Sequence, residues 1–316
     1  MQFTTPVTVA EGSITIDYNS RIVSLGSCFA VNIGQKFDYF KLHNTTNPFG
    51  ILFHPLALEK FTGFALNQKT FTEADIFFNI DRWHCFDAHS DLSAATAHEL
   101  LANLNNATTS AHAEIKNATH LIITLGTAWV YRETASGNLV ANCHKVPQKQ
   151  FTKELLSVTA IAQSLQNIID MVKKANPAVH IIFTVSPVRH IKDGFTQNLL
   201  SKSNLISALL TTVNRQLSTC SYFPSYEIMM DELRDYRFYA QDMLHPSQTA
   251  VDYIWQRFTD AWIGPEAQQT MKLADTIQKG LQHRSFNPES IQHRDFMAKL
   301  ADKVTALQKQ HPHITF

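Results

Sequence analysis

Apolar positions along the chain alternate between two kinds of run. Short unbroken ones, "RIVSLG" (21–26), "HLIITLG" (120–126) and "VHIIFTVSP" (179–187), predict strands buried on both faces of a sheet. Longer ones carry apolar residues at helical spacing: "FAVNIGQKFDYF" (29–40), "PLALEKFTGFAL" (55–66), "KELLSVTAIAQSLQNIIDMVKKA" (153–175) and "NLLSKSNLISALLTTVNRQL" (198–217). Pro55 suits a first helical turn, and Asn176 with Pro177 closes the third helix. The polar, alanine-rich stretch 91–116 reads as helix and 130–141 as a hairpin around "ETASGN". "SYEIMMD" (225–231) is the last strand candidate, and "HPSQTAVDYIWQRF" (245–258) opens a helix with Pro246 in its first turn.

Strands alternating with helices predict a parallel sheet covered on both sides. Functional groups then gather at the carboxyl ends of the strands. "GSCF", "GTAW" and "SPVRH" each follow a strand directly, so all three should meet on one sheet edge. Past Gly264 and Pro265 the composition becomes more polar. The chain therefore divides into a main domain, 1–263, and a C-terminal helical hairpin, 264–316, packed on it. Met271, Leu273, Ile277 and Leu281 line one helix of that hairpin, and Phe296, Leu300, Val304 and Leu307 the other. A dimer contact is the alternative use of those stripes.

Composition narrows the function. Lys plus Arg and Asp plus Glu both total 27 in 316 residues, so no broad field favours nucleic acid or an anionic membrane. No stretch has the length or apolarity to span a bilayer, and the first 20 residues lack a secretory pattern; a cytoplasmic protein is expected. Cys28, Cys85, Cys143 and Cys220 are far apart and read as free thiols. Neither common nucleotide-binding glycine motif is present, nor H-E-x-x-H, nor the G-x-S-x-G elbow. "WHCFDAH" (83–89) does not have a structural zinc spacing and reads as a loop. No metal or organic cofactor is expected.

Two segments carry chemistry. Ser27 follows the first strand, where a nucleophile would be presented; Cys28 beside it is either a rival or a small buried apolar residue. In "AQDMLHPSQ" (240–248), Asp242 and His245 are three apart, within reach of one turn. A carboxylate there would select the imidazole tautomer and stabilise its charged form. A strand-end serine early and D-x-x-H late is the arrangement of the SGNH (GDSL-like) hydrolases.

The succession "LGSCFA", "NPFGILFHP", "ITLGTAWVY", "NCHKVP", "TVSPVRHIKDGF", "FPSYEIMMDELRDYRFYA" and "DMLHPS" resembles the GSCFA family, which is assigned to that superfamily, over roughly residues 21–258. The resemblance implies a three-layer α/β/α fold with a central, mostly parallel sheet of the SGNH-hydrolase or flavodoxin-like kind. It implies Ser27 as nucleophile, His245 as general base and Asp242 as its partner. The Ser27 N–H would be one oxyanion donor, with Gly50 or the Asn47 side chain as another. The superfamily's third block is usually G-x-N-D. Here it reads Gly126-Thr127-Ala128-Trp129, so its asparagine amide is lost, and Thr127 or Asn47 must substitute or catalysis is weak. "LGS" likewise replaces "GDS" at the first block.

Around this core, Asn142, His144, Lys145, Arg189 and His190 can bind an anionic or sugar-like group. Equally, Arg189 can pair with an acid of "DELRD" (231–235), and that segment with the aromatic residues after it suggests a charge-paired loop near the site. Trp129 and Phe49 are candidate pocket walls. The expectation is an esterase removing an O-acyl group from a carbohydrate or other small polar molecule. The rivals are an acyltransferase using the same triad and a non-catalytic ligand-binding module.

Overall fold

The computed structural model describes residues 4–316. Among these the elements run β1 (Ile22–Gly26), α1 (Cys28–Tyr39), β2 (Asn44–Thr46), α2 (Pro55–Leu66), β3 (Phe77–Asn79), β4 (Arg82–His84), α3 (Ala97–Asn117), β5 (His120–Leu125), β6 (Trp129–Glu133), β7 (Leu139–Val140), β8 (Phe151–Leu155), α4 (Val158–Ala175), β9 (His180–Val185), α5 (Phe195–Val213), β10 (Cys220–Phe223), α6 (Ser225–Glu227), α7 (Gln248–Trp262), α8 (Pro265–Gln282) and α9 (Ile291–Gln310).

Five strands form one parallel sheet in the order β10-β9-β5-β1-β2. Because side chains alternate along a strand, each central strand feeds two cores. Val23, Leu25, Leu121, Ile123, Leu125, Ile181, Phe183 and Val185 pack under α2 to α5. Ile22, Ile122 and Ile182 face the other way, against Phe29 and Phe37 of α1 and Ile254, Phe258 and Trp262 of α7. The result is the α/β fold with helices on both faces. Register places Gly26 beside Thr124 and Leu125 beside Val185, so β1, β5 and β9 end on one edge and their three following segments share it. Met271, Ala274, Ile277, Leu300 and Leu307 of α8 and α9 join the second core, whereas Leu281 and Phe296 are exposed. No helix among the described residues is long and apolar enough to cross a membrane.

Several elements differ from the sequence pattern. Residues 225–231 are helical, in α6 and the wider turns that follow to Leu233; the last strand is instead Cys220–Phe223. Pro224 ends that strand, and the chain turns into helix with Ile228 and Met229 both buried. Residues 151–155 form β8, which pairs with β6 and extends the 130–141 hairpin to three strands; Ser157 then caps α4. Residues 90–92 are a separate turn, and α3 starts at Ala97 behind the Thr96 cap. Pro246 precedes its helix rather than opening it, because Ser247 takes the capping position of α7.

Candidate active site

The β1–α1 junction is set by close backbone approach. Gly26 has φ +131°, and a Cβ there would lie 2.1 Å from the Thr124 carbonyl oxygen, so glycine alone permits the turn. Ser27 follows as the N-cap of α1, its Oγ accepting from the Phe29 N–H at 3.4 Å. Its own N–H donates to Thr124 O at 3.0 Å. Ser27 is wholly out of solvent, and no hydrogen bond joins its hydroxyl to His245.

Asp242 and His245 form a tight local unit. One Asp242 oxygen accepts the N–H groups of Leu244 (2.9 Å) and His245 (3.0 Å); the other lies 2.6 Å from His245 Nδ1. The two backbone N–H bonds, reinforced by the imidazole, hold the carboxyl down at about 2. An ionised carboxylate only accepts, so Nδ1 donates to it and Nε2 is the ring nitrogen left free of that contact. The Arg189 N–H donates to Leu244 O at 3.1 Å and the Ala240 N–H to His245 O at 2.7 Å, which docks this loop against the segment after β9. The pair is half-exposed, in contrast to Ser27.

The oxyanion candidates separate by what already occupies them. The Gly50 N–H donates to Asn47 O at 2.8 Å, and those of Gly126 and Thr127 both go to Phe53 O at 2.8 and 3.0 Å. With the Ser27 N–H also bonded, all four amides are committed in this geometry. The Thr127 hydroxyl meets Ser201 Oγ at 3.0 Å and accepts the Trp129 N–H. Asn47 differs: its Oδ1 accepts the Gly26 N–H at 2.8 Å, while its Nδ2 is buried with no partner among the described residues. An amide pinned at its oxygen presents its nitrogen in a fixed direction, beside the residue that precedes Ser27.

Gly126 backs directly on Ser27, whose Cβ would be 3.1 Å from an added Cβ. Trp129, Thr127, Asn142, Phe53 and His190 line a cavity of about 280 Å³. Burial, then the Lys202 and His245 charges, push the His190 imidazole down to about 3. Arg189 makes no ion pair with residues 231–235; its guanidinium lies 4.0 Å from the Tyr239 ring centre and 5.1 Å from that of Tyr236. Two of that loop's three acids pair elsewhere, Asp235 with Arg237 and Glu232 with Arg257. His144 is buried against His84, its Nε2 bonded to Cys85 O at 2.7 Å, and Lys145 is exposed on the same turn; neither contacts Ser27 or His245. Phe49 is core, between Phe61 and Phe71. Burial raises the Cys28 thiol, which leaves it a poor nucleophile at neutral pH.

Sequence reasoning missed Asn198, Ser201 and Lys202 of α5, all buried beside the site. The available signal was polar residues one helical turn apart on a face that should be apolar.

The fold and this edge define an α/β protein with a serine, an acid–imidazole pair and an asparagine amide at the carboxyl ends of a parallel sheet. The chain belongs to the GSCFA family, which it matches over residues 21–258; residues 274–316 match the C-terminal domain of GSCFA domain proteins. No curated protein matches. Among solved structures it is similar to a carbohydrate esterase family 3 from Talaromyces cellulolyticus, at 9% identity and TM-score 0.39, covering 80% of this chain and 98% of that one. It is also similar to the acetyl xylan esterase Est2A from the rumen bacterium Butyrivibrio proteoclasticus, at 11% identity and TM-score 0.38, covering 77% and 63%.

Proposed function

We propose that this protein is a cytoplasmic serine esterase of the SGNH type that removes an O-acyl group from a carbohydrate or another small polar molecule. The observation that supports this reading is the 2.6 Å Asp242–His245 contact, in a loop bonded to the segment after β9 through Arg189 N–H and Leu244 O. The choice of a carbohydrate rests on the superfamily resemblance alone.

In this reading His245 Nε2 takes the Ser27 proton as Oγ attacks the ester carbonyl, and Asp242 stabilises the imidazolium. Asn47 Nδ2 donates to the developing oxyanion. His245 returns the proton to the leaving alcohol, then activates the water that frees the acyl group from Ser27. Since Ser27 is covered, substrate entry requires the residues over it to move.

The test is hydrolysis of p-nitrophenyl acetate together with labelling by a fluorophosphonate. Ser27→Ala and His245→Ala should each abolish turnover in a folded protein, and labelling should vanish in Ser27→Ala. Full activity in either variant removes the triad. The burial of Ser27 and the engagement of its N–H favour one other reading, a ligand-binding module that keeps the fold without turnover. A folded wild type that neither labels nor hydrolyses would establish that alternative. Product analysis with an added alcohol separates hydrolysis from acyl transfer.

A further inference from the structure

Lys202 of α5 is 1% exposed, and its Nζ donates to two backbone carbonyls, Gly126 O and Ser186 O, each at 2.7 Å. These are the first carbonyls past β5 and β9, in the two loops that flank the site. The same face of α5 holds both loops at further points. Ser201 Oγ accepts the Ala128 N–H at 2.7 Å, Asn198 Oδ1 accepts the His190 N–H at 2.8 Å, and Gln197 O accepts from the Trp129 indole at 3.3 Å.

No carboxylate forms an ion pair with Lys202 among the described residues. The groups that face it are the Cys28 thiol from the start of α1, the His190 imidazole from the loop after β9, and the Tyr226 ring of α6, whose centre is 5.7 Å from Nζ. Burying an ammonium without a counter-ion is costly, and a neutral donor would serve two carbonyls as well. An ionisable group set behind the corner where a serine would acquire negative charge points to a use for its charged form.

We propose that Lys202 is a positioning residue of this site that acts as a cation: tethered to the Gly126 and Ser186 carbonyls, its charge is held where it favours the oxyanion formed at Ser27. The inference rests on the esterase reading for its catalytic half. Burial pushes the ammonium down to about 7, so its charge is present below neutral pH and lost above it. The neutral amine still has two N–H groups for the two carbonyls. A purely structural role would therefore survive deprotonation, and an electrostatic one would not.

The experiment measures kcat and KM for p-nitrophenyl acetate from pH 5.5 to 9.5 in wild type, Lys202→Arg and Lys202→Met, with Ser27→Ala as the background. In wild type, kcat should fall on the alkaline side, approaching about tenfold per pH unit above the transition. Lys202→Arg should remove that fall within the range. Lys202→Met at pH 6 should lose about 100-fold in kcat with little change in KM. A flat alkaline profile in wild type, or wild-type kcat in a folded Lys202→Met, overturns the proposal; if Lys202→Met does not fold, the arginine comparison decides. The backbone amide NMR signals of Thr127, Ala128 and His190 provide a readout independent of turnover. They should titrate together in wild type and stay still in Lys202→Arg. Absence of that titration overturns the positioning role, whereas its presence in a protein with no turnover overturns only the esterase reading.

Discussion

Asn47 sits in the left-handed region at φ +45°, where asparagine is among the better-tolerated residues, and its two amide atoms have different fates. The oxygen fixes the Gly26 N–H; the nitrogen is a buried donor without a partner among the described residues, a state that native structures rarely leave unexplained. Replacement by aspartate keeps the acceptor for Gly26 and removes the donor. Asn47→Asp should therefore stay folded and lose about 100- to 1,000-fold in kcat for p-nitrophenyl acetate. Unchanged kcat would exclude Asn47 from the oxyanion role. Thr127, the other candidate donor, has its hydroxyl tied to α5 through Ser201. Ser27 caps α1, so Ser27→Ala should also cost about 1 kcal/mol of stability, read by urea unfolding.

Among the elements, the β1–α1 junction is the least tolerant. An alanine at Gly26 would combine a positive φ with a Cβ 2.1 Å from a backbone oxygen of the neighbouring strand, and neither partner can move without breaking the sheet. Gly26→Ala should lower unfolding stability by at least about 3 kcal/mol. Gly137, in the β6–β7 turn at φ +71°, has nothing within 4 Å of an added Cβ, so Gly137→Ala should cost only about 1 kcal/mol. Equal losses at the two sites would mean that conformation, not close approach, sets the cost at Gly26. Helix α5 combines two roles on one element. Leu205, Ala208 and Leu209 bury into the core, while Asn198, Ser201 and Lys202, nearer its start, hold the loops of the site.

At the scale of the whole molecule, several histidines are buried in their neutral form. Desolvation pushes His54, His144 and His180 down to about 4 and His190 to about 3, from an ordinary value near 6.5. They lie in the loops, at the site and at the far end of β9, so the effect belongs to the fold and not to one region. Between about pH 6.5 and 4 the unfolded chain binds protons that the folded chain refuses. Stability should be full above pH 7 and fall on acidification through that window, by up to about 1.4 kcal/mol per pH unit for each such group. Urea midpoints measured from pH 7.5 to 4.5 check this. His180→Phe should flatten the slope, because among the described residues the His180 ring has only Ser221 Oγ as a hydrogen-bond partner.

The local pattern was enough for the central strands, the main helices, their alternation into a parallel sheet, and the edge on which Gly26, Leu125 and Val185 end. These follow from side-chain periodicity, which each segment carries within itself. The Asp242–His245 unit is equally local, since its contacts span three residues. Pattern failed where a long-range partner decides the state of a segment: 151–155 is extended because β6 offers it an edge, and 225–231 coils because β10 has already filled the sheet position. The fates of Asn47 Nδ2, Arg189 and Lys202 were likewise settled by tertiary structure. Whether a polar group is buried, paired or orphaned depends on neighbours dozens of residues away, and the sequence around each of them does not contain those neighbours.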